Sequence, residues 1–158
     1  MNIQTLLDEV ERSFGFVAKP RADAISFHDT ACDLCSYLRQ DLLPYKDEQL
    51  PYEAIRCVHQ EMSCLSATGW RWVLPSYLRY CLTEAAQVSE MEIEFLIYNL
   101  APSAKHQPDT LKRLSALNQM QISCVLSFLR WCENHKKWSA YCPAEIQQAI
   151  EFISTLKA

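Results

Sequence analysis

Two cysteines separated by two residues, Cys32 and Cys35, are the most chemically suggestive pair in the sequence. This spacing is typical of zinc sites, because it lets two thiolates bind one tetrahedral ion. Cys57, His59 and Cys64 could complete such a site. Cys57 and His59, however, would point in different directions from one helix. We therefore expect no bound metal and no cofactor, and the alternative is a metal- or thiol-dependent enzyme that uses Cys32, Cys35, Cys57 and His59.

Acidic residues are frequent in the stretch from Glu84 to Glu94, which also contains Glu90 and Glu92. Glu90 and Glu94 lie four residues apart and share one face of a helix, whereas Glu92 faces away, toward a helix cap. A solvated helix face is the ordinary interpretation of such a run. The functional interpretation is a patch that attracts a positively charged partner.

The segment from Ser66 to Leu82 holds two tryptophans and two arginines but no carboxylate and no histidine. On a helix, Trp70 and Trp72 point about 200° apart, so one neighbour cannot bury both rings. Either helices cover both sides, or one ring is exposed and binds a protein. The predicted partner-binding residues are Trp70, Arg71, Trp72, Arg79, Glu84, Glu90 and Glu94.

The elements that must position these residues are predicted to be helices. Apolar residues recur at helical spacing, and no stretch alternates with period two. Ser89 with Glu92, and Asn118 with Gln121, have the spacing of capping boxes. The predicted helices span residues 2–14, Thr30 to Leu42, Pro51 onward, 67–73, 75–87 after a break at Pro75, 89–101, 108–116, 118–135 and Pro143 onward. We expect an all-α fold, with residues 1–158 forming a single compact domain of about seven or eight helices.

Composition excludes several classes of protein. Hydrophobic residues make up 49% and charged residues 22% of the 158-residue chain, as in an ordinary folded domain. Gly15 and Gly69 are the only glycines, so neither a Walker loop nor a GxGxxG motif can be written. The apolar runs are too short to cross a membrane, and the acidic first helix is unlike a signal peptide. We therefore expect a cytoplasmic protein with reduced thiols.

Charge is distributed unevenly along the chain. Residues 1–104 contain fifteen Asp or Glu and eight Lys or Arg, whereas residues 105–158 contain four and seven. The aromatic segment lies in the acidic part, and a nucleic-acid surface would need basic residues near its aromatic ones. The expected partner is another protein, of basic character, rather than nucleic acid or a membrane.

The run from Leu65 to Leu78 resembles the signature of a family of short, uncharacterised bacterial all-helical proteins, a domain of unknown function. In that signature Leu-Ser is followed by Gly, an aromatic residue, Arg, a second aromatic residue, and then Leu-Pro-Ala. The run from Leu114 to Trp131 also resembles the family, and the departures are Ser76 and Asn118 in place of Ala and Thr.

This resemblance implies one intracellular helical domain in a bacterium and transfers no catalytic residue. Small helical bacterial proteins without chemistry often act by binding another protein. The sequence therefore predicts a non-catalytic protein-binding module, and an immunity protein that neutralises a toxin is its most specific form.

Overall fold

Ten α-helices form the described part of the chain, residues 1–29, 31–46 and 49–158, in a computed structural model. Their bounds are α1 Ile3–Phe14, α2 Asp33–Leu42, α3 Tyr52–Val58, α4 Ala67–Cys81, α5 Glu84–Ser89, α6 Met91–Leu100, α7 Gln107–Leu114, α8 Gln119–Asn134, α9 Trp138–Tyr141 and α10 Pro143–Ser154. Eight of them have seven residues or more, which confirms the predicted all-α fold. Short 3-10 helices span Ala22–Ala24, His59–Cys64 and Ala104–His106.

Helix α4 lies at the centre and contacts α1, α3, α5 and α7. The predicted break at Pro75 is wrong, since α4 continues through Pro75 to Cys81. A proline inside a helix leaves one carbonyl without its amide donor and costs roughly 3 kcal/mol. Eleven of the fifteen α4 residues are buried, and each large apolar side chain contributes about 1.5–3 kcal/mol. Burial therefore outweighs the defect.

The junction between α5 and α6 also differs from the prediction. Ser89 is the last residue of α5, and Glu90 turns the chain with a φ of 71°. A capping serine needs an extended backbone immediately before its helix, so the predicted Ser89–Glu92 capping box does not form. The predicted box of Asn118 and Gln121 is confirmed at the start of α8.

The remaining helices surround α4 and complete the core. α8 packs against α1 and α10, and α10 also contacts α6. The predicted cap at Thr30 lies outside the described residues, and α2 begins at Asp33 after Cys32. No helix within the described residues has both the length and the apolar character needed to cross a membrane.

Candidate functional site

A cluster of potential metal ligands forms where α2 begins. Within the described ranges, His28, Cys32 and Cys35 are the one group of three such residues whose ligand atoms all lie within 4.8 Å of one another. The Nδ1 atom of His28 lies 3.5 Å from the sulfur of Cys35. His28 is exposed, Cys32 is half-buried and Cys35 is buried, so the cluster opens to solvent on one side.

The predicted set of Cys32, Cys35, Cys57 and His59 is not assembled. Cys57 is exposed on α3. The Nδ1 atom of His59 lies 2.6 Å from the carbonyl of Arg56, and its ring packs edge-on against Phe95 of α6. The direction in which a side chain leaves its helix explains the difference, because Cys57 and His59 diverge where α3 passes into the following 3-10 helix.

An antiparallel contact joins the segment before His28 to the segment that contains Cys64. Ser26 and Leu65 form an isolated β-bridge, and the amide of Phe27 donates to the carbonyl of Cys64 at 2.7 Å. Cys32 occupies the N-cap position of α2. The backbone of Cys35 is the main cause that lowers the pKa of the Cys32 thiol. The three ligands therefore lie within one short stretch of the chain, and the bridge places Cys64, which is distant in sequence, beside that stretch.

Both tryptophans of the aromatic segment are buried, so helices cover both sides of it, and the prediction that Trp70 and Trp72 bind a partner is wrong. Trp70 is 1% exposed and Trp72 is 3% exposed. Helices contact α4 from several sides, and the ammonium of Lys19 lies 5.4 Å from the centroid of the Trp72 ring. Neither ring is available to a partner, because α4 is the centre of the fold rather than part of its surface.

The two arginines of this segment have different surroundings. Arg71 is exposed on α4. Arg79 is largely buried, and its Nε atom donates to the carboxylate of Glu11 at 2.6 Å, which joins α4 to α1. This ion pair lines a cleft of about 250 Å³ together with Trp72 and Ser76. The charge of Arg79 is therefore already matched inside the molecule.

The four glutamates also separate into different environments. Glu84 is exposed at the start of α5, and Glu90 forms an ion pair with Lys137 at 2.5 Å. Glu94 accepts long hydrogen bonds of 3.4 Å from the hydroxyl of Tyr141. Glu92, expected to serve a cap, is instead 3% exposed. Its carboxylate accepts hydrogen bonds from the hydroxyls of Tyr80 and Ser89, because α6 turns this position toward α4.

Tyr98 and Tyr141 are surface residues that the sequence analysis did not select. They are 44% and 55% exposed. Burial, followed by the charges of Glu94 and Glu145, raises the pKa of Tyr98 to about 12. The charge of Glu94 is the main cause that raises the pKa of Tyr141. Glu94 and Tyr98 are four residues apart on α6, so their spacing could have indicated that they are neighbours. Only the fold places Tyr141 beside Glu94.

Glu61 is a carboxyl group with a strongly altered pKa. Burial, followed by the neighbouring carboxylate of Asp41, raises its pKa from 4.5 to about 7. Its buried Oε2 atom has no hydrogen-bond partner. Between these two pKa values the folded state keeps a proton that the unfolded state has released, so the contribution of Glu61 to stability is greatest at low pH and is lost as the pH rises through about 7.

Replacing Glu61 by Gln is expected to stabilise the protein above neutral pH, since the amide carries no charge to repel Asp41. Because solvent screens this partly accessible group, we expect a gain of only about 1 kcal/mol near pH 8.5 and little difference near pH 5. Urea unfolding of the variant and the wild type at both pH values measures this change in the free energy of unfolding. The control is Glu151→Gln, an exposed position on α10. An equal effect of Glu61→Gln at both pH values would contradict the assignment.

Comparison with known proteins identifies one family. The model of DUF6714, a family of unknown function, matches residues 39–152. The match covers most of the chain, from within α2 to within α10. No curated protein and no solved structure matches the chain.

Proposed function

We propose that this chain, which belongs to the DUF6714 family of unknown function, is a non-catalytic module that binds a basic protein. One observation carries the proposal: two exposed tyrosines lie among glutamates on the side formed by α6, α9 and α10. We call this the acidic–aromatic surface and define it as Met91, Glu94, Tyr98, Tyr141 and Glu145.

Helix geometry places three of these residues together. Met91, Glu94 and Tyr98 follow the i, i+3, i+7 spacing that gives one helix face. Met91 is itself 46% exposed, so an apolar side chain borders the two rings. Exposed tyrosines beside apolar side chains are typical of the residues that dominate the binding energy of protein interfaces.

The charges of the surface favour a basic partner. Glu90, at its edge, is neutralised by Lys137. Glu94 and Glu145 take part in none of the ion pairs found among the described residues. Carboxylates repel the phosphates of nucleic acids and of acidic lipids, but they accelerate association with a positively charged protein.

More specifically, the chain is an immunity protein of a bacterial cytoplasm, and the partner that it binds is a toxin. Neutralising a toxin requires rapid and tight binding, and opposite charges on the two surfaces provide the rapid association. Co-producing the chain with the candidate toxin then restores growth, and the acidic–aromatic surface is needed for this effect.

Reversing two charges of this surface is expected to abolish partner binding. The variant Glu94→Lys/Glu145→Lys changes the net charge by four units where the partner docks, and we expect at least a 100-fold loss of affinity. Tyr141→Ala leaves the charge unchanged. We expect it to weaken the affinity for the partner at least 10-fold, because it removes an anchoring ring. The measurement is capture from cells of the source organism, followed by calorimetric titration of the captured protein.

The matched control is Asp8→Lys/Glu53→Lys, which makes the same change of charge on α1 and α3. Its affinity for the partner is expected to stay within a factor of about 3 of the wild-type affinity, because the change lies outside the acidic–aromatic surface. Circular dichroism verifies that each variant is folded. The proposal is wrong if the surface variant and the control bind the partner equally well, or if the captured protein is acidic.

A further inference from the structure

We propose that His28, Cys32, Cys35 and Cys64 form a site for one Zn²⁺ ion. The site is distinct from the acidic–aromatic surface, and it differs from the set suggested by the sequence because His28 and Cys64 replace His59 and Cys57. One nitrogen and three sulfur ligands are a common donor set for tetrahedral zinc.

The spacing of the ligand atoms fits this ion. Bonds of about 2.3 Å to sulfur and 2.0 Å to nitrogen, at a tetrahedral angle, place a nitrogen and a sulfur ligand about 3.5 Å apart. The Nδ1 atom of His28 and the sulfur of Cys35 are 3.5 Å apart. The sulfur of Cys32 lies within 4.8 Å of the Cys35 sulfur and of one ring nitrogen of His28. Three ligands therefore surround a point that a single ion can occupy with small side-chain movements.

Cys64 is the residue placed to close the fourth position. It ends the 3-10 helix before Leu65, and it is 6% exposed. Its thiol interacts with the thiols of Cys35 and Cys32, and its carbonyl lies 3.8 Å from the sulfur of Cys35. Its sulfur is not among the three ligand atoms that lie within 4.8 Å of one another, so the proposed ligation requires the Cys64 side chain to rotate toward the cluster. With four protein ligands, the site has no open position for a substrate and is structural.

The charges around the cluster also suit bound zinc. Zn²⁺ with three thiolates and a neutral imidazole carries one negative charge, and binding releases three protons from the thiols. The guanidinium of Arg113 lies beside the thiols of Cys64 and Cys35, and its Nε atom donates to the carbonyl of Ser63 at 2.8 Å. The dipole of α2 adds positive potential at Cys32. These groups offset the negative charge of the complex.

A zinc ion here would join three segments that share few regular hydrogen bonds. His28 lies two residues after Ser26 of the isolated β-bridge. Cys32 and Cys35 lie at the start of α2, and Cys64 is the last residue of the 3-10 helix His59–Cys64. Cross-linking these segments through one ion raises the stability of the folded state by the free energy of binding. The zinc site therefore serves to hold the α2 region against the centre of the fold.

The test uses the full chain, kept reduced, stripped with a chelator and titrated with Zn²⁺ against a chromophoric competitor. We expect one ion per chain with a dissociation constant below about 10 nM, and a thermal midpoint that rises with zinc. Co²⁺ substitution is expected to give a tetrahedral spectrum with charge-transfer bands from three thiolates. Replacing His28 by Ala, or Cys32, Cys35 or Cys64 by Ser, is expected to weaken binding at least 100-fold.

The control is Cys57→Ser, which removes an exposed thiol outside the cluster and is expected to leave zinc affinity unchanged. Circular dichroism of each metal-free variant separates loss of the site from loss of folding. Binding weaker than about 1 µM by the wild-type chain would overturn the proposal. A Cys64→Ser variant with unchanged affinity and an unchanged Co²⁺ spectrum would overturn the assignment of the fourth ligand.

Discussion

Replacing Glu92 by Ala is expected to lower the free energy of unfolding by about 3 kcal/mol, because it removes the acceptor that joins α4, α5 and α6. The Glu92 carboxylate accepts a hydrogen bond of 3.2 Å from Tyr80 and another from Ser89. Tyr80 is 2% exposed, so its hydroxyl would lose its partner in a place that water does not reach. The ion pair with Arg56, at 3.9 Å, contributes little because Arg56 is exposed.

Two variants separate this buried network from the general effect of an acid near a helix start. Glu92→Gln keeps the volume and one acceptor oxygen, so a smaller loss of about 1 kcal/mol is expected. Glu94→Ala removes an acid from the same first turn of α6. Because the Glu94 carboxylate is half-exposed, we expect the free energy of unfolding to fall by only about 0.5 kcal/mol. Urea unfolding of the three variants measures these differences. A Glu92→Ala loss no larger than that of Glu94→Ala would contradict the role of the network.

Replacing Gly69 by Ala is expected to destabilise the protein by about 2 kcal/mol, although alanine favours helices. A Cβ atom at this position would lie 2.5 Å from the carbonyl oxygen of Ile25. That oxygen belongs to the backbone and accepts a hydrogen bond from the amide of Ser66 at 2.8 Å. The segment at Ile25 must therefore move, and the cost of this movement exceeds the gain in helix propensity of about 1 kcal/mol.

The control for Gly69→Ala is Arg71→Ala, an exposed position on the same helix that is expected to change stability by less than about 0.5 kcal/mol. Chemical denaturation of both variants gives the comparison. A Gly69→Ala variant as stable as the wild type would show that the segment shifts without cost. Because Ile25 lies just before the bridge that positions His28, we also expect this variant to bind zinc more weakly than the control does.

Local spacing in the sequence predicted the helical class of the fold and several helix ends, although it divided the region from Ala67 to Ser89 at the wrong residue. The capping box at Asn118 and the amphipathic face of α1 depend only on residues three or four apart, and both appear in the structure. The pair Cys32 and Cys35 is similarly local, and His28, four residues before Cys32, could have been added to it from spacing alone. The absence of a glycine-rich phosphate loop also follows directly from the sequence.

Packing between distant segments decided what local spacing left open. Periodicity predicts which residues share a face, but it does not say whether another helix covers that face. Trp70 and Trp72 are both buried because α4 has neighbours on several sides, and Glu92 is buried because the turn at Glu90 directs it toward α4. Cys64 meets Cys35 only because α2 packs against the 3-10 helix His59–Cys64. The sequence by itself therefore determined the helical elements, whereas the tertiary structure decided which side chains face solvent and which ones meet, because these depend on contacts between residues far apart in the chain.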